Sequence, residues 1–289
     1  MTLEAVLREL VLVVGAMLLT ATVVLVGPRR FARAVSDSRW RLRRMLPVVG
    51  LLATVLLIRV ASGSIAIRLQ FRVLGRNITP DIERIERTVF PENPVVFLQS
   101  LETEVLNSFF VFIYLYGYVF LLIFPVIAYF SLKRMDTLSS LILAFTANYA
   151  IGLVCYIFFI AYGPRNLLAI DVTPLLYEVY PQARLLTNEV NQNTNVFPSL
   201  HTSLSVTVFI LAWWTRDEYP LWVPISGFLA LSVVISTMYL GIHWFSDVLA
   251  GIVLAGISSY IGITYSVNDL SQIGRSIRSR LRNWTADRS

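Results

Sequence analysis

The amino-acid sequence predicts an all-α integral membrane protein with about seven transmembrane helices. Hydrophobic residues make up 56% of its 289 positions and charged residues only 15%, proportions that are rare in soluble domains. Several apolar runs also reach the roughly 20 residues that a helix needs to cross the hydrocarbon core of a bilayer. We therefore attribute the net charge of +6 to orientation in a membrane, and no nucleic-acid partner is expected.

The apolar runs locate the individual helices. The first run lacks a basic segment and a small-residue cleavage site, so we interpret it as a helix rather than as a signal peptide. The chain then divides into amino-terminal helices with their loops at 1–104, a membrane domain at 105–265 and a basic cytoplasmic tail at 266–289. The predicted spans cover about residues 9–27, 46–63, 106–130, 138–161, 197–215, 221–240 and 243–265.

Arginine and lysine residues predict the orientation of these helices. Seven arginines lie between residues 29 and 44, Lys133 and Arg134 follow the third span, and five arginines lie in the tail. Positive charge concentrates on the cytoplasmic side of a membrane, and with seven spans all three segments fall on one face. The amino terminus and the connections at 64–105 and 162–196 then lie outside. The first of these connections is expected to include an amphipathic helix on the membrane surface.

The chain has two histidines, and this orientation brings both to the outer face. His201 starts the fifth span, in the stretch FPSLHTSLSVTVF, and His243 lies between the sixth and seventh spans, in STMYLGIHWFSDVLAG. Ionisable side chains in or beside membrane helices are costly and often mark functional sites. The single cysteine, Cys155, lies in an apolar run and is interpreted as a small core residue.

Asp247 follows His243 by four residues, a spacing that places two side chains on one face of a helix. A carboxylate in this position can accept the Nδ1 proton of the imidazole and leave Nε2 free and more basic. An interfacial histidine near an acid at a helix end would show the same spacing. The pair alone therefore leaves both a catalytic and a structural role open.

The start of the fifth span has the features of an anion-binding helix terminus. Pro198 suits the first position of a helix, and the backbone N–H groups after it are free to bind an anion. The Ser199 hydroxyl can add a donor, although a Pro-Ser pair is also common in ordinary helix capping. Arg165, in YGPRN just beyond the fourth span, is placed to neutralise phosphate oxygens. With the two histidines, these residues predict covalent phosphoryl transfer through a phosphohistidine, which requires no metal ion or cofactor.

These motifs resemble those of the type 2 phosphatidic acid phosphatase superfamily, which also includes the vanadium haloperoxidases. FPSLHT and STMYLGIHWFSD are similar to its second and third signature motifs, and AYGPRNLL is similar to its weaker first motif. The forms PSLH and STMYL look closest to the inositol phosphorylceramide synthase branch. The resemblance covers roughly residues 105–265. It implies a six-helix core, preceded by an amino-terminal helix, with the site at the outer face.

The resemblance also implies roles for individual residues. His243 would be the nucleophile, Asp247 its orienting partner and His201 the general acid. Ser199 and Arg165 would bind the phosphate.

Two positions depart from the pattern of the superfamily. Thr237 stands where the third motif has an arginine, and Phe158 stands where counting back from Arg165 would place the lysine of the first motif. The phosphate site is therefore expected to be short of positive charge, as in the inositol phosphorylceramide synthase branch. Arg184, in the same outer connection as Arg165, is a candidate to supply it.

The expected activity leaves the acceptor and the donor open. Water as acceptor gives a phosphatase, and a lipid or polyol hydroxyl gives a head-group transferase. Lipid phosphates, isoprenoid diphosphates and phosphodiester lipids are all possible donors. Competing hypotheses are a transporter or scaffold that retains the fold without turnover, a protein that binds haem through both histidines, and a zinc-dependent hydrolase.

Overall fold

The computed structural model describes residues 2–61, 75–167, 172–185, 194–266 and 269, most of which are helical. The predicted tail at 266–289 lies almost entirely outside the described residues, as do the last two residues of the predicted second span.

Helices follow one another along the chain with short connections. They are α1 Leu3–Ala21, α2 Pro28–Ser36, α3 Ser38–Ala61, α4 Thr79–Val89, α5 Pro94–Ser100, α6 Glu104–Phe112, α7 Tyr118–Phe130, α8 Asp136–Phe158, α9 Leu175–Val179, α10 Leu200–Trp214, α11 Trp222–Tyr239 and α12 Phe245–Thr264. A π-helical turn at Thr22–Val26 extends α1, and another at Ile113–Gly117 joins α6 to α7. Two short strands, β1 Arg76–Asn77 and β2 Phe159–Ile160, pair in parallel.

Six of the seven predicted spans are confirmed among the described residues. The segments long and apolar enough to cross a membrane are Leu3–Val26, Ser38–Ala61, Glu104–Phe130, Asp136–Phe158, Trp222–Tyr239 and Phe245–Thr264. The protein is therefore an all-α, multi-pass membrane protein.

The predicted fifth span is shorter than expected. Helix α10 begins at Leu200 rather than at residue 197 and contains 15 residues. At about 1.5 Å per residue it is roughly 22 Å long, less than the roughly 30 Å hydrocarbon core. Ser199, immediately before the helix, is fully buried. Non-helical backbone at membrane depth is tolerated where protein surrounds it, as it does at Ser199.

Ion pairs show which loops share a face. Arg30 in α2 contacts Glu218, after α10, at 3.1 Å, and Arg44 in α3 lies 4.0 Å from Asp136 at the start of α8. The basic connection after α1 therefore lies on the same face as the loops before α8 and after α10, as the charge pattern predicts.

On this face, buried Arg41 also connects α3 to the end of α7. Its guanidinium donates to the carbonyls of Phe130 and Leu132, so it caps the end of α7.

The opposite end of α1 is attached to the connection at 162–196. The Glu9 carboxylate accepts hydrogen bonds from the hydroxyls of Tyr116, at 2.8 Å, and Tyr180, at 3.0 Å. Tyr116 belongs to the π-helical turn before α7, and Tyr180 follows α9. The amino-terminal helix is thus bonded to the face opposite the basic loops.

Helix α4 occupies the connection in which an amphipathic helix was expected. It buries Ile82 and Glu86 and exposes Ile85 and Val89. Its buried face contacts α12, because Glu86 accepts hydrogen bonds from the backbone N–H and the hydroxyl of Ser246, at 2.7 and 2.9 Å. Helix α4 therefore packs on the start of α12 through a polar contact.

Candidate active site

The two histidines of the chain meet in the folded protein. His201 lies in the first turn of α10, and His243 lies in the connection between α11 and α12. Their ring centroids are 5.7 Å apart. His243 is buried, and the rings of Tyr114 and Tyr118 flank His201 with centroids at 5.0 and 4.8 Å. This pair lies on the face opposite the basic loops.

A close approach of two backbones holds the histidines together. The N–H of Ser199 donates to the carbonyl of Asp247 at 3.1 Å. A Cβ atom at Gly251 would lie 2.6 Å from the carbonyl oxygen of Ser199, a distance that no side chain could occupy. Glycine at this position therefore allows the first two turns of α12 to contact the start of α10.

The turn that carries His243 is bonded to the end of α11. The carbonyl of Thr237 accepts the N–H groups of Ile242, at 2.9 Å, and His243, at 3.1 Å. Gly241 in this turn has φ +69, in the left-handed region that favours glycine. Thr237, which stands at the position of the third-motif arginine, is fully buried, and its hydroxyl donates to Val234. It positions the His243 backbone and adds no charge.

His243 and Asp247 lie close together, but not on one helix as the four-residue spacing predicted. His243 precedes α12 instead of lying one turn earlier on the same helix. Asp247 Oδ2 accepts the backbone N–H of Trp244 at 2.8 Å and lies 3.5 Å from His243 Nδ1. His243 Nδ1 has no hydrogen-bond partner among the described residues. The carboxylate thus faces the imidazole at a distance that a small movement would shorten to a hydrogen bond.

Burial controls the protonation of His243. Removal from water lowers its pKa to about 3, and the positive charge of Arg165 acts in the same direction. The imidazole is therefore neutral near physiological pH, the state in which a ring nitrogen can act as a nucleophile.

The start of α10 is built differently from the expectation. Pro198 is not the first helical residue: Ser199 is the N-cap, and Pro198 precedes it. The Ser199 hydroxyl accepts the N–H of Thr202 at 3.2 Å, as an N-cap side chain does. Ser199 thus serves helix capping, and its hydroxyl hydrogen is the part that remains to donate to a ligand.

Arg165 lies beside both histidines. It belongs to a 3₁₀ turn at Pro164–Asn166, and its backbone N–H donates to the carbonyl of Gly241 at 3.1 Å. Its Nη2 donates to the Tyr177 hydroxyl at 3.2 Å, and its charge acts on both imidazoles. Nη1 is buried without a hydrogen-bond partner among the residues that the structure describes. A buried guanidinium donor in this state can bind an anion.

Arg184 lies over the same tyrosine ring as Arg165. It is exposed, and its guanidinium stacks on the ring of Tyr177 at 4.9 Å, while that of Arg165 stacks on the same ring at 4.8 Å. The structure therefore brings the two predicted phosphate-binding arginines to one tyrosine, with Arg165 on the buried side of the pair.

Two supporting contacts were missed by the sequence analysis. Glu86 bonds the N-terminal turn of α12 through Ser246, and the indole N–H of Trp244 donates to the carbonyl of Tyr162 at 2.8 Å. Trp244 joins the connection after α8 to the third motif. Glu86 is one acid among six in its connection, and no local pattern distinguishes it from a solvated charge.

Comparison with known proteins places the chain in a family. The sequence model of the PAP2 superfamily matches residues 81–261. The chain belongs to the PAP2 superfamily. The PAP2 match begins in α4 and ends in α12, so it includes Glu86, both histidines, Asp247 and Arg165.

An uncharacterized protein of Methanocaldococcus jannaschii is 33% identical to this PAP2 protein over 159 residues, which are 54% of this chain and 61% of that protein. The chain thus covers less than two thirds of the length of this relative. No solved structure matches the chain.

Proposed function

We propose that this PAP2 protein is a membrane phosphatase or phosphotransferase that forms a phosphohistidine at His243. The observation that carries the proposal is the contact of His201 with buried, neutral His243, with an unpartnered guanidinium nitrogen of Arg165 beside them. An acid, a nucleophile and an anion-binding group are the components that metal-independent phosphoryl transfer requires.

The first step breaks the bond between phosphorus and the leaving oxygen. Nε2 of His243 attacks phosphorus, and a phosphorus–nitrogen bond forms while the leaving alkoxide takes a proton from His201, which the negative charge of the bound phosphoryl group keeps protonated. Asp247, 3.5 Å from Nδ1, stabilises the positive charge that develops on the His243 ring. Arg165 holds the equatorial oxygens of the phosphoryl group through Nη1, with the Ser199 hydroxyl as a further donor.

The second step removes the phosphoryl group from His243. His201, now neutral, takes a proton from the acceptor hydroxyl, whose oxygen attacks phosphorus and breaks the phosphorus–nitrogen bond. With a phosphomonoester donor, water as acceptor yields free phosphate; with a phosphodiester donor, a polyol or lipid hydroxyl yields a new phosphodiester. The PSLH and STMYL motifs, similar to those of the inositol phosphorylceramide synthase branch, favour head-group transfer over hydrolysis.

The depth of the site favours a lipid substrate. Because α10 is shorter than a full span and follows buried Ser199, we expect the histidines to lie near the level of lipid head groups, where the phosphate of a lipid can reach them. Lipid phosphates, isoprenoid diphosphates and phosphodiester lipids all have this geometry. The positive charge on the opposite face supports a location in the cell membrane with the site facing outward.

The test is an assay of the purified protein in liposomes with EDTA present. Lipid phosphates and phosphodiester lipids are supplied with and without inositol or glycerol, and free phosphate and new lipids are followed together. His243→Ala is the control. We expect turnover that vanadate inhibits and that the variant lacks.

The products distinguish the two chemistries. Phosphate release assigns a phosphatase, and a new phospholipid without free phosphate assigns a transferase. Turnover that persists in His243→Ala, or that vanadate leaves unchanged while EDTA abolishes it, would overturn the proposal.

A further inference from the structure

Arg59 is a cation outside the three motifs that lies on the side of α8 that packs against the start of α10. It lies in the last turn of α3, a helix that begins among the basic loops and ends on the face of the histidines. Its guanidinium carbon lies 5.7 Å from the ring centroid of Tyr149 in α8. Its positive charge acts on His201, which the ring of Tyr118 flanks with centroids 4.8 Å apart.

The position of Arg59 on α3 shows that it faces the protein. Leu51, Leu52, Val55 and Leu56 are partly buried and form the stripe of α3 that packs inward, whereas Leu57, Ile58 and Val60 are exposed. Arg59 is partly buried and continues this stripe by one turn. A charged side chain on the packed stripe of a membrane helix is costly and is retained at functional positions.

The residues around Arg59 lead directly to the start of α10. Tyr149 packs on a cluster formed by Tyr156, Leu200 and Leu254, and the Tyr156 hydroxyl donates to the carbonyl of Pro198 at 3.1 Å. Tyr149 and Tyr156 thus connect Arg59 to the start of α10. Its interactions within the described residues are with aromatic rings, and none is an ion pair.

The proposed phosphate site lacks the cations of the first and third motifs. Thr237 and Phe158 provide no charge, and Phe158 is half exposed at the end of α8. Arg165 approaches the histidines from the connection after α8, and Arg184 lies over Tyr177. A phosphoryl group bound between the histidines carries charge on several oxygens, which one guanidinium cannot neutralise alone.

We propose that Arg59 of the second spanning helix binds the phosphoryl group together with Arg165, and so supplies the charge that the first and third motifs lack. This inference rests on the proposed function, since it assumes an anion between the two histidines. The guanidinium leaves the ring of Tyr149 and donates to a phosphoryl oxygen when the substrate is bound. Arg59 is then a substrate-binding residue contributed from outside the motifs.

Vanadate binding tests this role without knowledge of the lipid substrate. The purified full-length protein in detergent is compared with Arg59→Gln and Arg59→Met, and the apparent affinity for vanadate is read from the rise in thermal unfolding midpoint. Arg43→Gln is the matched control, because Arg43 is exposed near the other end of the same helix. We expect vanadate binding roughly tenfold to hundredfold weaker in both Arg59 variants and unchanged in the control.

Turnover provides the second readout. With any lipid that the wild-type protein converts, the Arg59 variants should show a higher KM for substrate and a higher inhibition constant for vanadate, while Arg43→Gln matches the wild type. Methionine suits an apolar helix, so Arg59→Met separates a loss of anion binding from a failure to fold.

Each outcome has a distinct meaning. Wild-type affinity for vanadate in a folded Arg59 variant overturns the role of Arg59 and leaves the proposed function intact. Failure of both variants to fold assigns Arg59 a structural role and also overturns it. Absence of vanadate binding and of turnover in the wild type overturns the proposed function and, with it, this inference.

Discussion

At the residue scale, His243 is held by backbone contacts rather than by its own helix. Its N–H donates to Thr237, and its side chain faces a carboxylate that is itself held by the N–H of Trp244. Asp247 therefore has two partners: the Trp244 N–H, which fixes the position of the carboxylate, and the His243 imidazole, which the carboxylate faces. Its Oδ2 atom lies close to both. A replacement that retains one oxygen can therefore keep the hydrogen bond from Trp244 while it removes the charge beside His243.

Replacement of Asp247 by asparagine should lower kcat while leaving the protein folded. The amide oxygen can still accept the Trp244 N–H, but it carries no charge to stabilise a positively charged His243 ring. Loss of such a partner lowers activity by about tenfold to hundredfold or more. The measurement is kcat in liposomes together with the unfolding midpoint in detergent, with Asp136→Asn, an exposed acid on the opposite face, as the control. Equal kcat in Asp247→Asn and the wild type would remove the orienting role.

The pKa of His243 predicts a pH dependence of stability. The unfolded chain takes up a proton near pH 6.5, whereas the folded imidazole does so only near 3. The stability that neutral His243 contributes is therefore complete above the unfolded pKa and falls as pH decreases from about 6.5 toward 3, by at most about 1.4 kcal/mol per pH unit.

This dependence is measured as unfolding midpoints of the wild type and His243→Ala from pH 8 down to about pH 4. The wild-type curve should decline more steeply than that of the variant through this window. Parallel curves would show that His243 titrates normally in the folded protein.

At the scale of elements, the site depends on the contact between α10 and α12. The two helices meet at Gly251, where Ser199 approaches, and the same contact places His201 near His243. Helix α4 supports this contact from the other side, since Glu86 bonds the N-terminal turn of α12. Burial raises the pKa of Glu86, although the two donors of Ser246 oppose this effect.

Replacement of Gly251 by alanine should separate α10 from α12. The added Cβ would lie 2.6 Å from the Ser199 carbonyl oxygen, so the backbone must move. We expect a lower unfolding midpoint, a loss of about 1–3 kcal/mol and a larger proportional loss of activity than of stability, because the histidines move apart.

Gly256→Ala is the matched control on the same helix, since a Cβ there would have no neighbour within 4 Å. It should leave activity unchanged and stabilise the helix by up to about 1 kcal/mol. Equal effects of the two substitutions would contradict a specific role for the contact at Gly251.

At the scale of the whole molecule, two sets of polar contacts define opposite faces. Arg30 and Glu218 join loops on the basic face, and Glu9 joins α1 to Tyr116 and Tyr180 on the face of the histidines. Helix α10 spans only part of the distance between these faces.

The predicted orientation can be tested by labelling single cysteines in whole cells. In a Cys155→Ser background, Glu92→Cys should react with a membrane-impermeant thiol reagent from outside, and Asp217→Cys should react only after permeabilisation. Both positions are exposed, and Asp217 lies on the basic face. The reverse labelling pattern would place the histidines on the cytoplasmic side.

Local sequence patterns predicted much of this molecule. Apolar runs identified the spans because a bilayer requires long uninterrupted hydrophobic segments, and arginine counts grouped the loops because charge stays on one side. The two histidines, Asp247 and Arg165 were identified from motifs, and the fold brings all four together.

Tertiary packing supplied the features that have no local signal. The late start of α10 depends on protein that surrounds Pro198 and Ser199, and the sequence of an apolar run does not record its surroundings. The contacts of Glu86 with Ser246 and of Arg59 with the ring of Tyr149 join residues that are far apart in the chain. A sequence shows that a residue is charged but not what surrounds it. Only the packing of the helices decides whether that charge lies in water or beside a reacting group.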